Sequence, residues 1–206
     1  MSDPSAEWPD PSWHIGQRDH LHAFGVIVAA FNQLEFVLFV LFLRFVKGDP
    51  AAIQRIFVIL QNHHRLELLE NGIEMTVGDP QLKELLLYFA KGYKILNDNR
   101  NFLGHSHTIL NNPTQDHLTF GKGSKRQPDK WSFAHMKLLD LQKVAEDIYR
   151  FWQFGSYLDS YMNAKETAKN VTVFSPFGTE AVREPPLPDK PPEPMNLPSS
   201  PHGVLQ

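Results

Sequence analysis

The chain has no cysteine among its 206 residues. That excludes a disulfide framework and thiolate metal centres, and it fits a reducing compartment. A strong net charge is missing as well: 20 Lys and Arg stand against 23 Asp and Glu, a formal −3. Such a balance carries no global signal for nucleic acid. Long apolar runs are also absent. The greasiest stretch, Leu21 to Val46, is interrupted by Asn32, Gln33, Glu35 and Arg44, and its unbroken part is only Phe36 to Leu43. Crossing a bilayer takes roughly 20 apolar residues, so a buried helix of a soluble domain is expected here, with no membrane partner. Met1 to Ser12 has neither the basic start nor the apolar middle of a secretory leader, so a cytoplasmic location is expected. There is no internal repeat.

What is present is helical periodicity. Residues 1–16 are broken by Pro4, Pro9 and Pro11 and read as an irregular N-terminal segment. Residues 17–170 read as one helical domain. Its first helix runs from Gln17 to Val46, with Leu21, Phe24, Val28, Phe31, Leu38, Phe42 and Phe45 at helical spacing. Gly48-Asp49-Pro50 ends it and opens the second, which carries Ile53, Ile56, Phe57 and Leu60 and fades near Asn71-Gly72. Gly78-Asp79-Pro80 opens the third, with Leu82, Leu85, Leu86, Phe89, Tyr93 and Leu96 on its stripe. The fourth starts near Ser132 and carries Leu141, Val144, Ile148, Phe151 and Leu158. Between the last two, His107 to Trp131 alternates weakly and holds a basic Gly-Lys-Gly-Ser-Lys-Arg run, which predicts a short hairpin or loop insertion. The expected fold is all-α, an antiparallel four-helix bundle with one insertion. From residue 171 to 206 the chain is rich in proline and poor in large apolar groups, and a disordered tail is expected. The first helix is apolar on every face from Phe36 to Leu43, which predicts a second packing partner: another copy of the chain in a homodimer.

Polar residues interrupt the apolar stripes. Arg100 falls in the middle of the third helix's stripe, Glu35 sits mid-stripe in the first, and His64 lies on the extended stripe of the second. A charge facing a core needs a partner, so a Glu35–Arg100 pair is expected, with His64 beside it. His105 follows Arg100 by five residues, which on an ideal helix sets it about 140° away. Asn101 and His105 share a face at i and i+4. Arg100 and His105 therefore meet on one substrate only if the helix breaks at Gly104 or if two subunits share the site. The chemistry of the set is suggestive. A guanidinium can hold a phosphate and an imidazole can move a proton near neutral pH. The surrounding segment, Gln81 to Lys143, carries ten Lys and Arg against five Asp and Glu, a local basic bias.

Arg-Asn-x-x-x-His at the end of an apolar helix in a small four-helix domain resembles the motif of HEPN-domain proteins. Asn32-Gln33-Leu34-Glu35 is similar to the acidic first-helix region of many members. The resemblance covers residues 17–165 and rests on a short motif. It implies a metal-independent endoribonuclease cleaving single-stranded RNA as a homodimer, often a toxin or antiphage defence component, with an antitoxin or defence protein as partner. Arg100, His105 and Asn101 would then be catalytic, Glu35 and His64 supporting, and Lys122, Lys125, Arg126 and Lys130 would hold the RNA backbone. No cofactor is implied. Some members are non-catalytic RNA-binding or scaffold domains, and this chain departs from the pattern in its insertion after His107. Two other classes stand beside this reading. A di-iron bundle needs Glu-x-x-His pairs on two helices, and none occurs, which leaves a mononuclear site built on His64 and His105. A non-catalytic dimerisation module would use Glu35 and Arg100 only as a structural pair.

Overall fold

The computed structural model describes residues 16–108, 116–123, 131–167, 171–175, 178–182 and 186–197. These are mostly helical. The helices are α1 (Arg18–Phe45), α2 (Pro50–Ile59), α3 (Asn62–Thr76), α4 (Pro80–His105) and α5 (Leu138–Thr167). Strands β1 (His107–Thr108), β2 (His117–Gly123) and β3 (Trp131–Lys137) form an antiparallel sheet in the order β1-β2-β3. A separate antiparallel hairpin pairs β4 (Val171–Ser175) with β5 (Gly178–Val182).

Helix α1 packs most extensively on α5 and also touches α3 and α4, while α4 contacts α3 and α5. One core fills the space between them: Phe31, Leu34, Leu38 and Phe42 from α1 meet Leu69 and Ile73 of α3, Leu86, Phe89 and Tyr93 of α4, and Val144, Ile148 and Phe151 of α5. Helix α1 is long and apolar enough to cross a membrane by length and composition. Here its inner face supplies a large part of this core. Gly92 lets α4 and α5 approach closely, because a methyl group at that position would overlap the Phe151 ring. The two Gly-Asp-Pro openings work as their chemistry requires. Asp49 accepts from the Ala52 amide at 2.9 Å, and Asp79 accepts from Gln81 and Leu82 at 3.0 and 3.3 Å.

Three expectations need correction. The second helix is not continuous: Leu60 and Gln61 are extended and separate α2 from α3. The reason is phase. Phe57 and Leu66 are nine residues apart, about two and a half turns, so an unbroken helix would turn them to opposite sides. The break lets both be buried. The last helix begins at Leu138, not Ser132. Residues 131–137 are β3, in which Ala134 and Met136 are buried opposite Phe120 and Leu118 of β2. That alternation has the period of two of a half-buried strand, and β2 with β3 is the expected hairpin insertion.

The third correction concerns the proline-rich end. Residues 171–182 include the β4–β5 hairpin, and residues 186–197 lie as an extended strap across α4 and α5, with Pro194 and Leu197 buried. Composition weighs apolar burial against chain entropy. Five of the twelve strap residues are proline, which already restricts the unfolded chain and lowers the cost of ordering it.

Candidate functional site

Polar residues of three helices gather where α1, α3 and α4 meet, but not in the expected pairs. Arg65 of α3, and not Arg100, takes the Glu35 carboxylate, at 2.8 Å. The same guanidinium nitrogen donates to Asn62 Oδ1 at 2.8 Å, and Asn62 passes the chain on by donating to Asn97 of α4. Arg65 also lies over the Phe57 ring, 4.2 Å from its centre. This arrangement follows from the α2–α3 break. Asn62 and Arg65, at i and i+3, share a face of α3, and re-phasing the helix turns that face toward α1 and α4.

Arg100 sits beside this network without joining its carboxylate. Its guanidinium donates to Asn101 Oδ1 at 3.0 Å and stands 5.2 Å from the centre of the Phe31 ring. Among the described residues it makes no ion pair. The Tyr93 hydroxyl is buried without a hydrogen-bond partner. Burial pushes its pKa up, the Glu35 charge adds to the rise, and Arg65 and Arg100 oppose it. Tyr93 is therefore a neutral phenol surrounded by three charged side chains on three helices.

His105 is exposed in the last turn of α4, which runs unbroken through Gly104. The helix break that would have brought Arg100 and His105 together within one chain does not occur. Ser106 ends the helix, and both its amide and its hydroxyl donate to the Phe102 carbonyl. His64 is also displaced from its expected place. It is 53 % exposed, 3.6 Å from Glu67 and against the His63 ring. The register of α3, set by Leu66, Leu69 and Ile73, turns it outward. Lys122 is exposed near the end of β2, while Lys125, Arg126 and Lys130 lie outside the described residues. Among the described residues, no three His, Asp or Glu side chains converge on a possible metal position.

An open cleft of about 390 Å³ adjoins the network, lined by Asn32, Glu35, Phe36, Phe39, Phe57 and Arg65 among others. Its rim is apolar: Phe36 is 62 % and Val58 72 % exposed. Arg65, Asn62 and Asn97 were not singled out from sequence. Their signal was present as polar residues at i and i+3 spacing, but it becomes visible only once the second helix is cut at Gln61. Comparison with protein-family models, curated proteins and solved structures finds no match.

Proposed function

We propose that this chain is a metal-independent endoribonuclease of HEPN type, a four-helix bundle of α1, α3, α4 and α5 acting as a cytoplasmic homodimer on single-stranded RNA. The observation that carries the reading is the state of Arg100. Glu35 is committed to Arg65, so the Arg100 guanidinium is held by a neutral amide and an aromatic face and keeps its charge for a phosphate. Asn101 fixes the guanidinium. His105, exposed one turn further on, is the base.

Because α4 is continuous, Arg100 and His105 of one chain lie on different sides of the helix. The reading therefore assigns each site to two protomers. The apolar rim of Phe36 and Val58, next to the Glu35–Arg65 network, supports a second copy packing on that face. His105 takes the proton of the RNA 2′-hydroxyl, the 2′-oxygen bonds to phosphorus, and the P–O5′ bond breaks with a proton passing to the leaving 5′-oxygen. Arg100 stabilises the charge that builds on the phosphate oxygens. The products are a 2′,3′-cyclic phosphate and a 5′-hydroxyl. Lys122, with Lys125, Arg126 and Lys130, would follow the RNA backbone. A toxin or defence role, with an antitoxin or defence protein as partner, belongs to the same reading.

The experiment is RNA cleavage by the purified chain in EDTA, with the product ends mapped. Loss of cleavage in both Arg100→Ala and His105→Ala, with helical content retained, is the expected result. Full activity in both variants, or dependence on a divalent metal, would sink the proposal. A second reading, a non-catalytic dimerisation or RNA-binding module, is favoured by the separation of Arg100 from His105 within one chain. It predicts RNA binding or dimerisation without cleavage under the same conditions.

A further inference from the structure

Residues 186–197 are held on α4 and α5 by a series of hydrogen bonds to their main chain, with side-chain contacts around them. The Tyr157 hydroxyl donates to the Pro186 carbonyl at 3.0 Å, and the Tyr88 hydroxyl donates to the Pro191 carbonyl at 2.6 Å. Asn99 donates to the Met195 carbonyl at 2.6 Å and accepts from the Leu197 amide at 2.9 Å. Asp147 accepts from the Met195 amide at 2.9 Å. Asn99 and Asp147 come from different helices, and under the strap they are only 1 % and 2 % exposed. Leu197 fills the apolar end of the groove. Two ion pairs frame it, Lys91 with Glu193 and Glu84 with Lys190.

This pattern has the logic of a peptide-binding groove. Proline removes main-chain donors, so an extended proline-rich segment offers mainly carbonyls. The groove answers with two phenolic donors facing prolyl carbonyls. It places a paired donor and acceptor, plus a carboxylate, where the strap presents the Met195 and Leu197 amides. Aromatic donors and an apolar pocket along one extended chain match known modes of polyproline recognition. Nothing in the contacts depends on covalent attachment of the strap to α5.

We propose that the α4–α5 groove is a binding site for extended proline-rich peptides ending in a Met-x-Leu anchor, and that residues 186–197 are its resident, displaceable ligand. The site is independent of any RNA chemistry. It places an incoming peptide against Asn99, one residue before Arg100.

The test uses the full-length chain and a fluorescent peptide with the sequence of residues 186–197. Leu197→Asp in the chain removes the strap's anchor and leaves the groove intact. Folded L197D protein is expected to bind the peptide at least tenfold more tightly than wild type, whose own strap competes at the roughly millimolar effective concentration of a short tether. Adding Asn99→Ala to L197D is expected to abolish that binding. Equal binding to wild type and L197D, no binding to folded L197D, or unchanged binding after the Asn99 substitution would each overturn the proposal. If L197D does not fold, isotope-labelled wild-type protein is titrated with unlabelled peptide to several times that effective concentration. Chemical-shift changes at the Asn99 side-chain amide and at Leu197 support displacement. Their absence overturns it.

Discussion

Arg65 on α3 holds the Glu35 carboxylate of α1 at 2.8 Å, and that bond ties the two helices on the side where Arg100 lies. The Arg65 side chain is 12 % exposed and that of Glu35 32 %, so the pair is neither a surface contact nor fully dry. Removing the guanidinium would leave a half-buried carboxylate and the Asn62 amide oxygen short of a donor. Arg65→Ala is expected to destabilise the fold by about 2 kcal/mol, after allowing for the solvent that reaches Glu35. Arg100→Ala loses a contact with the Phe31 face and a bond to its neighbour, on the order of 0.5–1 kcal/mol. Denaturant unfolding of the two variants tests the ranking. A larger loss from Arg100→Ala would mean that Arg100 is the structural partner after all.

The Asp79 cap makes stability depend on acid in a defined direction. The Leu82 amide holds the Asp79 carboxyl below its usual pKa, helped by the Gln81 amide and by Lys165, 3.5 Å away, although some burial works against them. The depressed pKa means that the folded state favours the charged form. This contribution is complete above the ordinary carboxylate value of about 3.9 and is lost as pH falls through the lower folded value. Asp79→Asn should therefore be less stable than wild type near neutral pH, with the gap closing in acid. Unfolding midpoints measured at about pH 6 and about pH 3 test this. A constant gap would show that the cap's charge is irrelevant.

The helices were legible wherever one local rule decided them. Asp49-Pro50 and Asp79-Pro80 mark true starts, and the stripe of α4 from Leu82 to Leu96 is buried as its spacing requires. What stayed hidden depended on partners far along the chain. Whether residues 57 and 66 belong to one helix is a question of which side the core lies on, and local periodicity does not answer it. The strap is the clearest case. Leu197 is ordered by Asn99, 98 residues earlier, and Met195 by Asp147, so composition alone reads the segment as solvated. In the candidate site, Arg100 and Glu35 were visible as polar intrusions on apolar stripes, and Asn101 as a neighbour of Arg100 in the motif. The actual partner of Glu35 was not, because Arg65 enters the stripe only after the turn at Leu60-Gln61.

Gly92 sets the spacing of α4 and α5. A Cβ there would collide with the Phe151 ring, which is fully buried and packed against Tyr88 and Phe154. Gly92→Ala raises helix propensity but overpacks this contact, and the second effect is the larger. A net loss of about 1–3 kcal/mol is expected. Thermal unfolding measures it, and a stabilised G92A protein would show that the helices can separate at little cost.

The continuity of α4 through Gly104 yields the sharpest prediction about the site. If Arg100 and His105 act on one phosphodiester only across a dimer, two inactive variants should complement each other. In a mixed dimer of Arg100→Ala and His105→Ala, one site loses both groups and the other keeps both. Random pairing makes half of the dimers mixed, each with one working site of two. Activity should then recover to about a quarter of wild type on mixing, following the symmetry of a shared two-fold site. A site contained within one chain gives no recovery, because every site then lacks one group. The mixture needs unfolding and refolding together or co-expression, so that protomers exchange. Sizing of the mixture confirms the dimer, and a mixed dimer that stays inactive, against an active wild type, would remove the two-protomer site from the proposal.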